Sequence, residues 1–255
     1  MKVTIITATF NSEKGIQETI DSVYNQDYKN IEYIIIDGGS YDDTIKIIKE
    51  NQNKISYLIS EKDNGIYDAF NKGIKLSTGD IIGFLNSDDI LADDSIVSKI
   101  VETYYSEKSD IVYGNLVYQS MKNGKTKTIR NWISKDFKLH YLKLGWMPPH
   151  PTLYCKKEIY QTLGLFDDKL QIAADYDFIV RVFRQPYIKK TYLPITMVKM
   201  NIGGVSNSSI KNIIKKSSED YYIIKKNKIG GGFTLMMKNI SKIYQFKGLI
   251  KKNSM

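Results

Sequence analysis

Four runs of apolar, largely β-branched residues in the first ninety positions each stop abruptly at small polar or acidic side chains. They are Lys2 to Asn11, Ile31 to Ile36 before Asp37-Gly38-Gly39-Ser40, Ile55 to Ser60, and Gly79 to Leu85 before Asn86-Ser87-Asp88-Asp89. Between them lie helical patterns. Ile16, Ile20, Val23 and Tyr24 recur at helical spacing, with Ser12 placed to cap; Asp43 to Lys49 carries Ile45, Ile47 and Ile48; Tyr67 to Ile74 follows the turn Asn64-Gly65. Strands that alternate with helices predict a mostly parallel, doubly wound α/β sheet with helices on both faces.

The pattern changes after residue 115. Leu116-Val117-Tyr118 and Thr126 to Ile129 flank Asn123-Gly124, a hairpin signal, and Met147-Pro148-Pro149-His150-Pro151 reads as a shaped loop. Ala173-Ala174-Asp175-Tyr176-Asp177-Phe178 opens a helix through Val180, Val182 and Phe183. The expected division is a body over 1–207, with a donor half (1–115) and an acceptor half (116–207), and a tail over 208–255.

Charge separates body from tail. The net charge of +9 comes from 37 Lys and Arg against 28 Asp and Glu. Residues 208–255 hold 11 of the lysines against only Glu219 and Asp220, which leaves 26 charges of each sign in the body. A neutral body with a basic tail argues against a nucleic-acid reader and for attachment to an anionic surface. No apolar run reaches the roughly 20 residues of a membrane span, and the chain enters a strand too soon for a signal peptide, so a cytoplasmic protein is expected. One cysteine, Cys155, forms no intrachain disulfide, and His140 and His150 are too few for a Cys/His zinc site.

Ligands of open α/β sheets sit beyond the carboxyl ends of the strands. That edge carries Thr7 and Thr9 from the first strand, Asp37 from the second, and Asp88 and Asp89 from the fourth, a set of hydroxyls and carboxylates suited to a polar ligand and a divalent cation. Neither G-x-G-x-x-G after the first strand nor a P-loop occurs, so a diphosphate lacks a glycine cradle and needs a metal, Asp89 being placed to supply a ligand.

Thr7-Ala8-Thr9-Phe10-Asn11, Asp37-Gly38-Gly39-Ser40, Asp63 to Gly73 with Tyr67 and Asp68, and Leu85 to Asp89 occur in the order and spacing of glycosyltransferase family 2, which the chain resembles over about residues 1–205, on through His150-Pro151-Thr152 and Ala174 to Phe178. The resemblance implies a GT-A fold and inverting transfer of a sugar from a nucleotide donor, usually a UDP-sugar, with Mn or Mg. It assigns Thr7, Thr9 and Asp37 to base and ribose, with Asn11, Tyr67 and Asp68 near the donor pocket. Asp88 matches the ribose-side acid, Asp89 the metal ligand and Asp175 the base that deprotonates the acceptor hydroxyl. His150 is placed to touch acceptor or diphosphate, or is structural. The family's D-x-D triplet is often led by an acid; here the residues before Asp89 are Ser87 and Asp88.

The expected enzyme extends a surface polysaccharide such as a capsule or O-antigen unit on a glycan or lipid-linked acceptor. Rivals are a sugar nucleotidyltransferase, which would want a glycine- and arginine-rich loop after the first strand, and a catalytically silent carbohydrate-binding protein. In the tail, Ile210, Ile213 and Ile214 lie among Lys211, Lys215 and Lys216, and Phe233 to Ile250 mixes apolar residues with lysines, with Gly230-Gly231-Gly232 between as a flexible break. Such helices lie in anionic membrane interfaces, which predicts a peripheral protein on the inner face of the cell membrane; packing on the body or on a second subunit of a homo-oligomer is the alternative.

Overall fold

A computed structural model describes residues 1–122, 125–201 and 210–247. Strands β1 (Val3–Thr9), β2 (Ile31–Asp37), β3 (Tyr57–Ser60) and β4 (Ile81–Phe84) lie in the order β3-β2-β1-β4, all parallel. β1, β2 and β4 are buried because helices cover both faces of the sheet, while the edge strand β3 is partly exposed. Ile6, Ala8, Ile34 and Ile36 face a core shared with α3 (Ile66–Leu76), α5 (Lys157–Leu163) and α6 (Ala174–Phe183); Val3, Ile5, Tyr33 and Ile35 face α1 (Ile16–Tyr24), α2 (Thr44–Glu50) and α4 (Ile96–Glu107). Phe70 and Ile74 are core residues. Gly73 lets α3 lie directly on β1, since a Cβ there would sit 2.5 Å from Ile6 Cγ2.

The sheet continues with mixed pairing, as the α+β pattern after residue 115 implied. Strand β8 (Tyr154–Lys156) pairs antiparallel with β4 and with β6 (Ile111–Lys122); β6 pairs antiparallel with β7 (Lys125–Trp132) and parallel with β9 (Lys190–Asn201). The β6–β7 hairpin forms as predicted, while its turn, Asn123-Gly124, lies outside the described residues. Trp132 and Trp146 are partly buried against the core, and Cys155 is fully buried, its thiol pushed up by burial.

Two local expectations fail for identifiable reasons. The Ser12 side chain does not cap α1: its hydroxyl lies 2.7 Å from Ser87 Oγ, and only its carbonyl accepts the N–H groups of Gly15 and Ile16, so the helix starts at Ile16. The fourth strand ends at Phe84, and Asp89 opens a separate strand, β5 (Asp89–Leu91), paired antiparallel with β9.

The tail forms α7 (Ile210–Lys226) and α8 (Gly232–Lys247), with Ile223 and Ile224 buried. Lys238 of α8 is 3% exposed and 2.7 Å from Asp220 of α7, itself 1% exposed. Burial brings the Lys238 ammonium down to about 7, while Lys238 and Lys216 hold Asp220 below the usual carboxylate range against the opposing effect of burial. The boundary placed after Asn207 and the stretch beyond Lys247 lie outside the described residues.

Glu32 on β2 is buried and accepts from Lys2 Nζ (2.8 Å), Thr4 Oγ1 (2.7 Å) and Thr78 N (2.7 Å). Burial opposes its charge, but these donors prevail and bring its carboxyl down to about 2. A depressed carboxylate contributes stability above its unfolded pKa and loses it as pH falls through the folded value. Glu32→Gln is therefore expected to cost about 2–3 kcal/mol at pH 7 in urea unfolding, a gap that narrows as pH falls from about 4.5 toward 2. A gap that stays constant with pH would exclude the charge as its origin.

Candidate active site

The ends of β1 and β2 are tied together. Asn11 adopts φ 49°, its N–H donates to Ser40 Oγ (2.8 Å), and its Oδ1 accepts from Tyr41 N (3.1 Å). Asp37 is wholly buried and its two oxygens accept from Gly39 N, Ser40 N and Ser60 Oγ at 2.8–3.3 Å, and from Ser40 Oγ. It therefore shapes the Gly38–Ser40 turn. Thr7 is also turned inward, 3.0 Å from Tyr33 OH. Thr9 differs: its hydroxyl is buried and has no hydrogen-bond partner among the described residues.

Beyond that turn is a cavity of about 410 Å³ lined by Phe10, Gly38, Gly39, Tyr41, Lys62 and Asp63. The Phe10 and Tyr41 rings are exposed and meet edge to face at 6.0 Å. A Cβ on Gly38 would lie 2.7 Å from Asp63 Oδ2, so the glycine makes room for that carboxylate. Asp63, Phe10 and Tyr41 were not singled out from the sequence as site residues; the pairing of Gly38 with Asp63 is a contact between loops that no local pattern announces.

At the end of β4 the chain turns through Asn86, Ser87 and Asp88, packed so closely on α1 that a Cβ on Gly15 would meet Asp88 Cα at 3.0 Å. Asp88 is half-buried and Asp89 fully buried. Asn86 Nδ2 donates to Asp89 Oδ2 (2.7 Å), while Asp89 Oδ1 has no hydrogen-bond partner among the described residues. Burial raises both carboxyls, and Asp88 pushes Asp89 well above the carboxylate range. Asn201, at the end of β9, donates from Nδ2 to the Asp88 carbonyl (3.0 Å).

Asp175 lies in the first turn of α6. The N-cap is Ala173, so Asp175 is not the cap. The Tyr67 hydroxyl lies 3.1 Å from Asp175 Oδ1 and 2.8 Å from the Ile172 carbonyl, and burial together with Asp175 raises it. Asp68, on the same helix, accepts from Asn64 N (3.1 Å) and lies 3.4 Å from Lys72. Asp177, also in the first turn of α6, is buried and accepts from Arg181 Nε (2.8 Å) and Asn227 Nδ2 (3.2 Å).

His150 stacks on Phe84 (centroids 5.2 Å apart) among Phe70 and Phe166, with Nε2 buried and unpartnered. Burial lowers it, opposed by Asp175, so the ring is neutral at pH 7. Tyr118 of β6 was missed from sequence: burial raises its hydroxyl, Arg130 opposes this, and both Asp89 and Asp175 add to the rise. Its phenol therefore stands within electrostatic reach of Asp89 and of Asp175.

Residues 4–165 match the family model described as Glycosyl transferase family 2. The chain belongs to that family. It is a nucleotide-sugar glycosyltransferase with a GT-A fold, which removes the two rival classes. It is 28% identical over 218 residues to a Mycobacterium bovis protein named PGL/p-HBAD biosynthesis glycosyltransferase, covering 83% of this chain and 82% of the relative. Among solved structures it is similar to S. aureus TarS 1-349 in complex with UDP-GlcNAc (TM-score 0.68, 17% identity, 89% of this chain and 65% of that one). It is also similar to the mannosyltransferase PcManGT from Pyrobaculum calidifontis in complex with GDP-Man and Mn²⁺ (TM-score 0.65, 18% identity, 90% and 65%).

Family members often use a divalent metal. Among the described residues no three His, Cys, Asp or Glu side chains gather as a metal site. The Asp88–Asp89 pair nevertheless suits a cation: two neighbouring acids, one with a buried, unpartnered oxygen, carry a charge that burial disfavours and a cation would balance.

Proposed function

We propose that the protein is an inverting glycosyltransferase that moves a sugar from a UDP-sugar to a hydroxyl of a glycan or lipid-linked acceptor in surface-polysaccharide synthesis. The observation that carries this reading is the buried Asp88–Asp89 pair beyond β4, with an oxygen that has no partner among the described residues, together with Asp175 held by Tyr67 at the start of α6, Tyr118 being within electrostatic reach of Asp89 and Asp175. The nucleobase takes the cavity beside Gly38, where Phe10 and Tyr41 offer ring faces and edges and Asp63 an acceptor, and the unpartnered Thr9 hydroxyl faces the donor. Asp88, the more exposed of its pair, meets ribose and cation, with Asp89 behind it.

In the transfer, Asp175 takes the acceptor proton as the acceptor oxygen bonds to the anomeric carbon. The bond from that carbon to the donor phosphate oxygen breaks on the opposite side, and the nucleoside diphosphate leaves with the electron pair. Asp88 and Asp89 would hold a divalent cation, which would supply Lewis-acid stabilisation of the leaving charge. His150, neutral and packed on Phe84, presents an uncharged ring beneath the reacting groups.

The tail brings the enzyme to its acceptor. Among the described residues no helix is long and apolar enough to cross a membrane, but Ile213 and Ile214 of α7 and Phe233 and Met236 of α8 are exposed beside lysines, a composition that suits an anionic interface. With Mn²⁺ present, the protein is expected to release UDP from a UDP-sugar, and to sediment with phosphatidylglycerol vesicles at low salt and less as salt rises. Release of pyrophosphate from UTP, with no UDP from any UDP-sugar, would overturn the transferase reading; vesicle binding indifferent to lipid charge would overturn the tail's role.

A further inference from the structure

Residues 171–173 run directly into α6, so their backbone decides where Asp175 points. Three consecutive N–H groups of this segment converge on one carboxylate from the tail: Ile172 N and Ala173 N each donate to Glu219 Oε2 (2.9 Å), and Gln171 N donates to Oε1 (3.1 Å). From the other side, the Tyr67 hydroxyl lies 2.8 Å from the Ile172 carbonyl and 3.1 Å from Asp175 Oδ1. The segment is thus held through its N–H groups by α7 and through a carbonyl by α3. Hydrogen bonds to an ionised acceptor are about twice as strong as neutral ones, which makes Glu219 the firmer of the two holds.

The helix that carries Glu219 is itself fixed in rotation and height. Asp220, the next residue, is buried between Lys216 (3.0 Å) and Lys238 of α8 (2.7 Å), and the Lys238 ammonium lies 3.0 Å from the ring centroid of Tyr176, the residue after Asp175. Two helical turns on, Asn227 Nδ2 donates to Asp177 (3.2 Å), Lys226 lies 3.4 Å from the same carboxylate, and Arg184 donates to the Asn227 carbonyl (2.5 Å). The middle of α7 is therefore tied to the segment that leads into α6, and its C-terminal end to α6 itself. A rigid helix supports a three-armed contact on the segment that aims the base.

We propose that Glu219 is the positioning residue for Asp175, and that the C-terminal helices belong to the catalytic apparatus as well as to the surface that meets the acceptor. Glu219 acts through the peptide units of 171–173 and touches no substrate. The inference rests on the reading of Asp175 as the base, and the test separates the two.

The assay is nucleoside diphosphate release with whichever of UDP-glucose, UDP-GlcNAc and GDP-mannose the wild-type protein hydrolyses fastest, with Mn²⁺ present. Glu219→Ala is expected to lower kcat by about 10- to 100-fold, the size of a misplacement on the order of 1 Å, while donor KM stays within about 3-fold. Glu219→Gln keeps an oxygen in reach of Ile172 and Ala173 and is expected to recover most of the loss, a rescue that a general loss of stability would not show. In an Asp175→Asn background, Glu219→Ala should add little, because there is no base left to aim. An unchanged kcat in Glu219→Ala, or an equal loss in the Asp175→Asn background, overturns the proposal. If Glu219→Ala does not fold, Glu219→Asp, one methylene short, should show an intermediate loss of kcat, and wild-type kcat in that variant overturns the proposal. Near-normal turnover of Asp175→Asn alone would remove the base, and the positioning role with it.

Discussion

Asp175→Asn is expected to lower sugar transfer by at least about 10²-fold, the lower end for loss of a positioned general base, while donor and cation binding persist. The substitution is close to isosteric, and the amide oxygen can still accept from the Tyr67 hydroxyl that lies 3.1 Å from Asp175 Oδ1, so the cleft keeps its shape. What disappears is the acceptor for the nucleophile's proton. A second, smaller consequence identifies the site: Asp175 lies in the first turn of α6, where a negative charge is favoured by about 0.3–1 kcal/mol. A drop in Tm of about 1–4 °C should therefore accompany the loss of turnover. Near-wild-type kcat would remove Asp175 from the chemistry, and a collapse of donor binding would mean that the carboxylate holds the donor rather than the acceptor.

The donor half was legible because its information is local. Apolar runs that end in acids predict buried parallel strands opening at one edge, and β1, β2, β3 and β4 form in that arrangement. The acids themselves were harder to read, since a carboxylate at a strand end looks the same whether it faces a ligand or its own loop. Asp37 faces its loop, and the open carboxylate beside that turn is Asp63, brought there by the absence of a side chain on Gly38. Neither fact has a periodic signature. The tail shows the same limit: its lysines read as contacts for an anionic surface, yet Lys238 is buried on Asp220. The two acids of the tail were the available signal. In a stretch so rich in lysine, Glu219 and Asp220 stand out, and each holds a partner contact of α7, Glu219 over a separation of 46–48 residues.

Asp89→Asn is expected to abolish metal-dependent donor binding while leaving the fold as stable as before or more so. The two halves of that outcome have one cause. Asp89 is fully buried beside Asp88, and its Oδ1 has no hydrogen-bond partner among the described residues, so the apo protein bears the cost of a charge that burial and its neighbour both disfavour. Neutralising it relieves that cost, and the Asn86 amide that donates to Asp89 Oδ2 at 2.7 Å can still donate to an amide oxygen. The same change removes half of the charge on which a divalent cation and the diphosphate would depend. For the wild-type protein, Mn²⁺ with UDP at about 100 times its Kd should add about 2.7 kcal/mol of stability by mass action, and chelation should remove it. The variant should show neither the rise nor its reversal, with an apo Tm at or above that of the wild type. A wild-type protein fully active in excess chelator would end the metal assignment. A variant that still gains stability from Mn²⁺ and UDP would leave Asp88 as the residue that holds the cation.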